Sequence, residues 1–369
     1  MKWTIRLGKV FGIELSMHAT FLLLLFFVAV SQYRAVGTVA GAVSGVAFML
    51  AVFSIVVLHE LGHAVTAMRF GVHTRDIILL PIGGVARLDR MPERPLHELL
   101  VAIAGPAVSV GLALLLALVA QMLSQPLSAD WSQPLTFHTV LGRLVWVNVS
   151  LAVFNLIPAF PLDGGRVLRA TLAMRMNYVS ATQTAARVGR SIALVLGTLG
   201  LFVNPMITLI AVFIWITAAA EAGSVEATAL LKGTTVRQAM VTQFESLPTT
   251  ATLAEAAERL LAGAQVDFPV LEDGRLAGIL TRTGLIAGLA RGGQQVLVRD
   301  AMVSAFESAT PGEALDAVLA RLRVHVTHTA PVLDEGRVIG LLTLDNVGEL
   351  LAVRGALRTG LNAGAGVPA

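Results

Sequence analysis

Two histidines and an acid stand together as His59, Glu60 and His63 in the stretch VLHELGH, residues 57 to 63. On a helix, positions four apart share a face, so the two imidazoles can offer nitrogens to one ion. Glu60 lies about 100° round the helix from His59. From there it can reach a water on that ion, the arrangement in which a metal acidifies water and a carboxylate takes its proton. A catalytic ion wants a third protein ligand. The chain has no cysteine, so that ligand must be His, Asp or Glu. Asp163, in NLIPAFPLDGGRVLRA (residues 155 to 170), is the best-placed acid, because it comes after a helix that travels toward the same side; Asp130 falls in a loop on the other side. Pro158, Pro161, Gly164 and Gly165 are expected to break helical hydrogen bonding around it and let the chain fold back. The plainer alternatives are two neutral histidines bonded to neighbouring helices, which leaves Glu60 unpaired, and an ordinary turn followed by an amphipathic helix.

The surroundings of VLHELGH give it weight. Hydrophobic residues make up 55% of the 369 and charged ones only 14%, against roughly 25% charged in a soluble domain. Ionisable groups at membrane depth are costly, and their presence there points to function. A spanning helix needs about 20 apolar residues, and six candidates are read: 18–33, 38–68, 97–122, 138–157, 187–203 and 206–221. The basic residues are unevenly shared. Lys2, Arg6 and Lys9 precede the first span, Arg69, Arg75, Arg87, Arg90 and Arg94 follow the second, and Arg166, Arg169, Arg175, Arg187 and Arg190 follow the fourth. The opposite loops carry Arg34 and almost nothing else. The positive-inside rule then puts both termini in the cytoplasm of a multi-pass cell-membrane protein, with His59 and His63 inside the cytoplasmic leaflet. The net charge of +3 is too small to suggest nucleic acid as a partner. MKWTIRLGKVFGIELSMHATFLLLLFFVAV is not read as a signal peptide, because residues of alternating character precede its apolar run.

RDIILLPIGGVARLD, residues 75 to 89, has two β-prone runs around Gly83 and Gly84. It is expected to form a hairpin whose edge pairs with unwound substrate. After residue 222 ordinary soluble composition returns, with an internal repeat: Met240, Pro269, Gly278 and Thr281 recur as Met302, Pro331, Gly340 and Thr343, each 62 residues on. Two copies of one unit are implied, each reading helix, strand, helix, strand-turn-strand.

HELGH in a transmembrane segment, followed by NLIPAFPLDGG, resembles the site-2 protease family of intramembrane zinc metalloproteases, in the subgroup that carries CBS domains. The similarity runs from IRLGKVFGIELSMHATF at the N-terminus to the repeats at the end. It implies an α-helical polytopic membrane domain over 1–223, with six transmembrane helices and a membrane-dipping β-hairpin. A soluble α/β CBS pair at 235–290 and 297–352 and a flexible tail at 353–369 complete the chain. It also implies one Zn2+ held by His59, His63 and Asp163, with Glu60 as general base. Asn155 would hold substrate or stabilise the oxyanion, a role its side-chain amide suits, and Gly83, Gly84 and Pro158 would join it in contacting substrate. The CBS resemblance adds an adenine nucleotide as ligand and a homodimer through the CBS pairs as assembly. In that family a Thr or Ser and an Asp three residues on hold the ribose. Here Thr281 is followed by Gly284, and Thr343 by Asn346 with Asp345 displaced by one, so the pattern is incomplete in both copies; the remaining reading is a purely structural or dimerising module.

The function expected is a zinc endopeptidase that cuts a membrane-embedded regulatory protein within or near its transmembrane segment, regulated through the CBS pair. Two rivals stay open: a CBS-gated transporter or channel with a buried metal site, and a pseudoprotease that binds without cutting.

Overall fold

The computed structural model describes residues 3–81, 83–88, 94–127, 131, 136–322, 325 and 327–364; Lys2, Arg90 and Asp130 lie outside them. The chain divides into two compact units, residues 1–223 and 224–369.

The first unit begins as a sheet. Residues of alternating character form β1 (Thr4–Val10) and β2 (Ile13–His18). The turn between them places Phe11 and Gly12 at φ 51° and 82°, the left-handed pair that suits a two-residue hairpin. Helices α1 (Thr20–Val36) and α2 (Val39–Arg69) come next, then β3 (Thr74–Leu80) and β4 (Gly83–Leu88). The strands form one sheet in the order β1-β2-β3-β4. β3 and β4 pair antiparallel, as the β-prone runs suggested, while β2 and β3 pair parallel. Ile13 and Ile77 pack from the sheet onto Leu61 and Ala64 of α2. β4 lies at one edge of the sheet and β1 at the other. The N-terminal segment therefore belongs to the same sheet as the expected hairpin.

The remaining helices are α3 (Pro95–Met122), α4 (Phe137–Asn155), α5 (Asp163–Ala173), α6 (Tyr178–Val203) and α7 (Pro205–Leu231). Among the described residues four helices, α2, α3, α6 and α7, are long and apolar enough to cross a membrane; α1 and the apolar part of α4 are shorter. The six-span reading is thus met in length by four helices. The hairpin consumes residues up to His18 before α1 can start, and the prolines at 158 and 161 come closely after the end of α4.

The second unit has a short 3-10 turn at Val236–Gln238, then β5 (Leu247–Pro248), α8 (Leu253–Ala262), β6 (Phe268–Glu272), β7 (Arg275–Leu280) and α9 (Arg282–Gly292). It continues with α10 (Val298–Ala301), α11 (Leu315–Leu322), β8 (Thr329–Asp334), β9 (Arg337–Thr343) and α12 (Leu344–Gly364). Helix α12 continues into the segment expected as a tail from 353, as far as Gly364, and Arg354 on it donates to the Leu230 carbonyl and bonds Thr234. The repeats exchange their leading segments. Val303 pairs with Ile279 and Val241 with Leu341, while Met302 packs over Gly278 and Met240 over Gly340. Each methionine recognised in the repeat therefore packs on the glycine of the other copy.

Candidate metal centre

His59 and His63 are buried residues of α2, and Asp163 is the buried first residue of α5. Nε2 of His59 and Nε2 of His63 lie 3.2 Å apart, and Oδ2 of Asp163 lies 3.2 Å from the first and 3.1 Å from the second. The three atoms make a nearly equilateral triangle. A tetrahedral ion with bonds of about 2.0–2.1 Å keeps its ligands about 3.3–3.4 Å apart, close to the spacing observed. These three are the group of His, Asp and Glu side chains among the described residues that could hold a metal ion.

The far nitrogens are also engaged. Nδ1 of His63 lies 2.7 Å from the Val101 carbonyl and Nδ1 of His59 2.9 Å from Ser109 Oγ. A carbonyl only accepts, so Nδ1 of His63 carries the proton and Nε2 presents its lone pair to the centre of the triangle. Both partners belong to α3, which contains Pro106. A proline inside a helix crowds the carbonyl four residues back and removes its donor; here the adjacent carbonyl, Val101, is the one that His63 uses. Gly105 completes this wall. A β-carbon there would meet Nε2 of His63 at 2.1 Å and Nε2 of His59 at 2.7 Å, so only a glycine allows α3 to lie against the paired rings.

Asp163 is held in place by the two glycines after it. Gly164 and Gly165 lie inside α5 rather than breaking a helix, and a β-carbon on Gly164 would meet the carbonyl oxygens of Leu156 and Ile157 at 2.3 Å. Their small size lets the first turn of α5 sit on the backbone that leaves α4. Further along α5, Arg169 is only 1% exposed. It bonds Glu98 of α3 and Glu221 of α7, each at 2.5 Å, between the rings of Phe160 and Tyr178. Burial works against its charge, and the Glu98 carboxylate leads the influences that outweigh it, holding the guanidinium above its ordinary range.

With this geometry in view, known proteins can be compared. The sequence model of peptidase family M50 matches residues 47–138 and 119–196, and that of the CBS domain matches 236–291 and 297–352. A zinc metalloprotease of Methanocaldococcus jannaschii is 33% identical over 281 residues, covering 76% of this chain and 78% of the relative. The chain belongs to peptidase family M50, the site-2 proteases. Rip3 of Mycobacterium tuberculosis is 31% identical over 374 residues, covering 96% of this chain and 94% of its own. Among solved structures, a site-2 protease from Methanocaldococcus jannaschii is 38% identical, covers 60% of this chain and 95% of its own, and has a TM-score of 0.44. The protein is thus a zinc metalloendopeptidase of the membrane with a CBS pair.

In this site-2 protease the sequence-derived positions fall into three groups. His59, His63 and Asp163 converge. Gly84 of β4 comes against Glu60, where a β-carbon would meet Glu60 Cγ at 3.0 Å and Val56 Cγ1 at 3.1 Å. Its neighbour Gly83 occupies the turn into β4 with φ 140°. Asn155 ends α4 half-buried and Pro158 is exposed on the segment beyond it; neither bonds the triangle. Sequence reasoning missed Gly105, Ser109, Glu98 and the burial of Arg169. The available signals were a Gly-Pro pair inside an apolar helix and a lone acid at its start.

In the CBS pair, Thr281 Oγ accepts from Gly284 N at 3.0 Å and so caps α9. A side chain at Gly284 would meet the Ala301 carbonyl at 2.9 Å, which leaves no room for a ribose-holding acid there. In the second copy Thr343 Oγ bonds the Asn346 side chain, while Asp345 precedes it in the first turn of α12.

Proposed function

We propose that this site-2 protease hydrolyses peptide bonds within or near the transmembrane segment of a membrane-tethered regulatory protein. His59, His63 and Asp163 are the ligands of its zinc ion. The observation that carries the reading is the triangle of ligand atoms, with Glu60 one residue from the first histidine and set against an edge strand.

Zinc held by such a set supplies Lewis acidity toward a carbonyl oxygen and acidifies water. The chain's own groups do the rest. Glu60 takes a proton from the attacking water and returns it to the leaving amine, one carboxylate serving as base and then as acid. Beside it, the outer edge of β4 offers backbone groups to a substrate that has unwound, since an extended peptide adds to a sheet edge through main-chain hydrogen bonds. Gly83 and Gly84 keep that edge free of side chains at the point nearest Glu60. Asn155 supplies an amide donor to substrate or to the developing oxyanion, and Pro158 borders the path. Wall and ligands together keep the imidazoles neutral-faced toward the ion: His63 donates outward to Val101, and Gly105 lets α3 close over both rings.

The topology that fits is six spans, α1 and α4 being the short ones, with both termini and the CBS pair in the cytoplasm and the sheet dipping into the cytoplasmic leaflet. The basic residues around α2, α3, α5 and α6 support it. The CBS pair is read as the regulatory part and as the route to a homodimer; its two incomplete ribose positions argue against an adenine nucleotide held in the usual way.

The test is Glu60→Gln in proteoliposomes with a panel of single-span membrane proteins. The expected result is zinc retained at wild-type content and cleavage reduced by about 100-fold or more, with a chelator abolishing wild-type cleavage and added zinc restoring it. Unchanged cleavage in the variant, or altered ion flux with no cleavage by either protein, overturns the assignment.

A further inference from the structure

Glu98, Val101, Gly105 and Ser109 of α3 are spaced three, four and four residues apart, which sets them along one side of the helix over about 16 Å. This stripe fixes both imidazoles. Val101 accepts from His63, Ser109 bonds His59, and Gly105 gives the two rings room. Its first member, Glu98, reaches neither ring. It bonds Arg169 instead, with Nε and Nη2 of the guanidinium both closing on Oε1, at 2.7 and 2.5 Å.

Arg169 belongs to α5, the helix that begins with Asp163. That helix has little hold on its own first turn. Gly164 and Gly165 follow the aspartate, Leu162 before it gives no side-chain cap, and glycine is a poor helix former. The grip comes from six residues further on, about 9 Å along the axis. There the guanidinium lies 5.0 Å from the centre of the Phe160 ring and 5.1 Å from that of Tyr178. Phe160 stands three residues before Asp163 and Tyr178 begins α6, so Arg169 stacks against the chain that enters α5 and the chain that leaves it. A guanidinium is a rigid planar fork, and its bonds to Glu98 therefore fix where α5 lies along α3.

We infer that Arg169 is a positioning residue for the metal centre: by bonding Glu98 it registers α5 on the stripe of α3 that aims both imidazoles, and so keeps Asp163 at ligand distance from them. All three ligands are then referred to one helix. Glu221 of α7 bonds the same guanidinium at 2.5 Å but has no part in the stripe, so it steadies the charge without setting the distance. The inference rests on the assignment of Asp163 as a zinc ligand and adds the residue that places it.

The test compares Asp163→Ala, the uncharged pair Glu98→Gln with Arg169→Gln, and all three changes combined, each in the full chain in detergent. Zinc affinity is measured by competition with a chromophoric chelator, and the cobalt(II)-substituted protein by its visible absorption. The uncharged pair should weaken zinc about tenfold or more and shift the cobalt bands toward those of Asp163→Ala, with helix content unchanged. Added to Asp163→Ala, it should change the affinity by less than about twofold, because both then act on one contact. An equal loss in both backgrounds means that Arg169 supports the fold at large, and wild-type affinity and spectrum in the uncharged pair mean that α5 needs no such register; either overturns the inference. Glu221→Gln should leave the cobalt spectrum as in the wild type, and a shift equal to that of the uncharged pair overturns the role given to Glu98. Should the uncharged pair fail to fold, Arg169→Lys, which keeps the charge and loses the fork, is held to the same comparison. If Asp163→Ala binds both metals as the wild type does, the ligand assignment falls first and this inference with it.

Discussion

A β-carbon on Gly105 would stand 2.1 Å from Nε2 of His63. The closest wall of the candidate metal centre is therefore a place where α3 has no side chain. Gly105→Ala should push the imidazoles off their common point. Zinc content of the purified protein, read by mass spectrometry, is expected to fall at least tenfold while helix content by circular dichroism stays near wild type.

Ser109 holds His59 from behind at 2.9 Å. Partners of this kind orient a ligand histidine, and their loss typically costs about 10–100-fold in metal affinity. Ser109→Ala is expected to weaken zinc binding within that range in a competition assay with a chromophoric chelator. Ser109→Thr, which keeps the hydroxyl, should recover most of it.

Arg169 is buried between Glu98 and Glu221. Removing one member of a buried pair leaves an uncompensated charge, at a cost of about 3–5 kcal/mol. Glu98→Ala should lower the thermal midpoint of the membrane unit markedly, as followed by fluorescence in detergent. Glu221→Ala should lower it less, because its side chain is partly exposed and water can take its place.

Asp267 and Thr329 are equivalent positions of the two repeats and bond each other at 2.7 Å; the other Asp267 oxygen accepts the Arg282 amide at 3.1 Å. Thr329→Val strands that carboxylate oxygen, which costs about 1–3 kcal/mol when the site is buried. Hydrogen exchange of the intact protein should then quicken at β8 and in the first turn of α9, with the membrane helices unchanged.

How far the chain could be read depended on whether the signal was local. HELGH shows itself because two histidines four apart in an apolar run are improbable and because one helix alone sets their common face. The CBS repeat shows itself by comparing the chain with its own second copy. β1 and β2 leave only an alternation in the sequence, which does not by itself announce strands, and their place in the sheet has no local mark at all: β2 pairs parallel with β3, and a long helix hairpin intervenes in sequence. Gly164 and Gly165 were legible as special and misread in kind, since breaking a helix and letting two backbones touch both call for glycine.

The amino-acid order by itself determined the zinc-ligand chemistry available, the membrane setting, the paired imidazoles and the duplicated C-terminal module, because each is encoded in local periodicity, in composition or in the chain's likeness to its own second copy. Only the tertiary structure decided that Asp163 meets the histidines at 3.1–3.2 Å, that Ser109 and Val101 fix them from α3, that Gly105 makes room, and that Arg169 is internal. Those facts arise where separate helices approach, and an apolar helix carries no periodic mark of which glycine, serine or carbonyl its neighbour will touch.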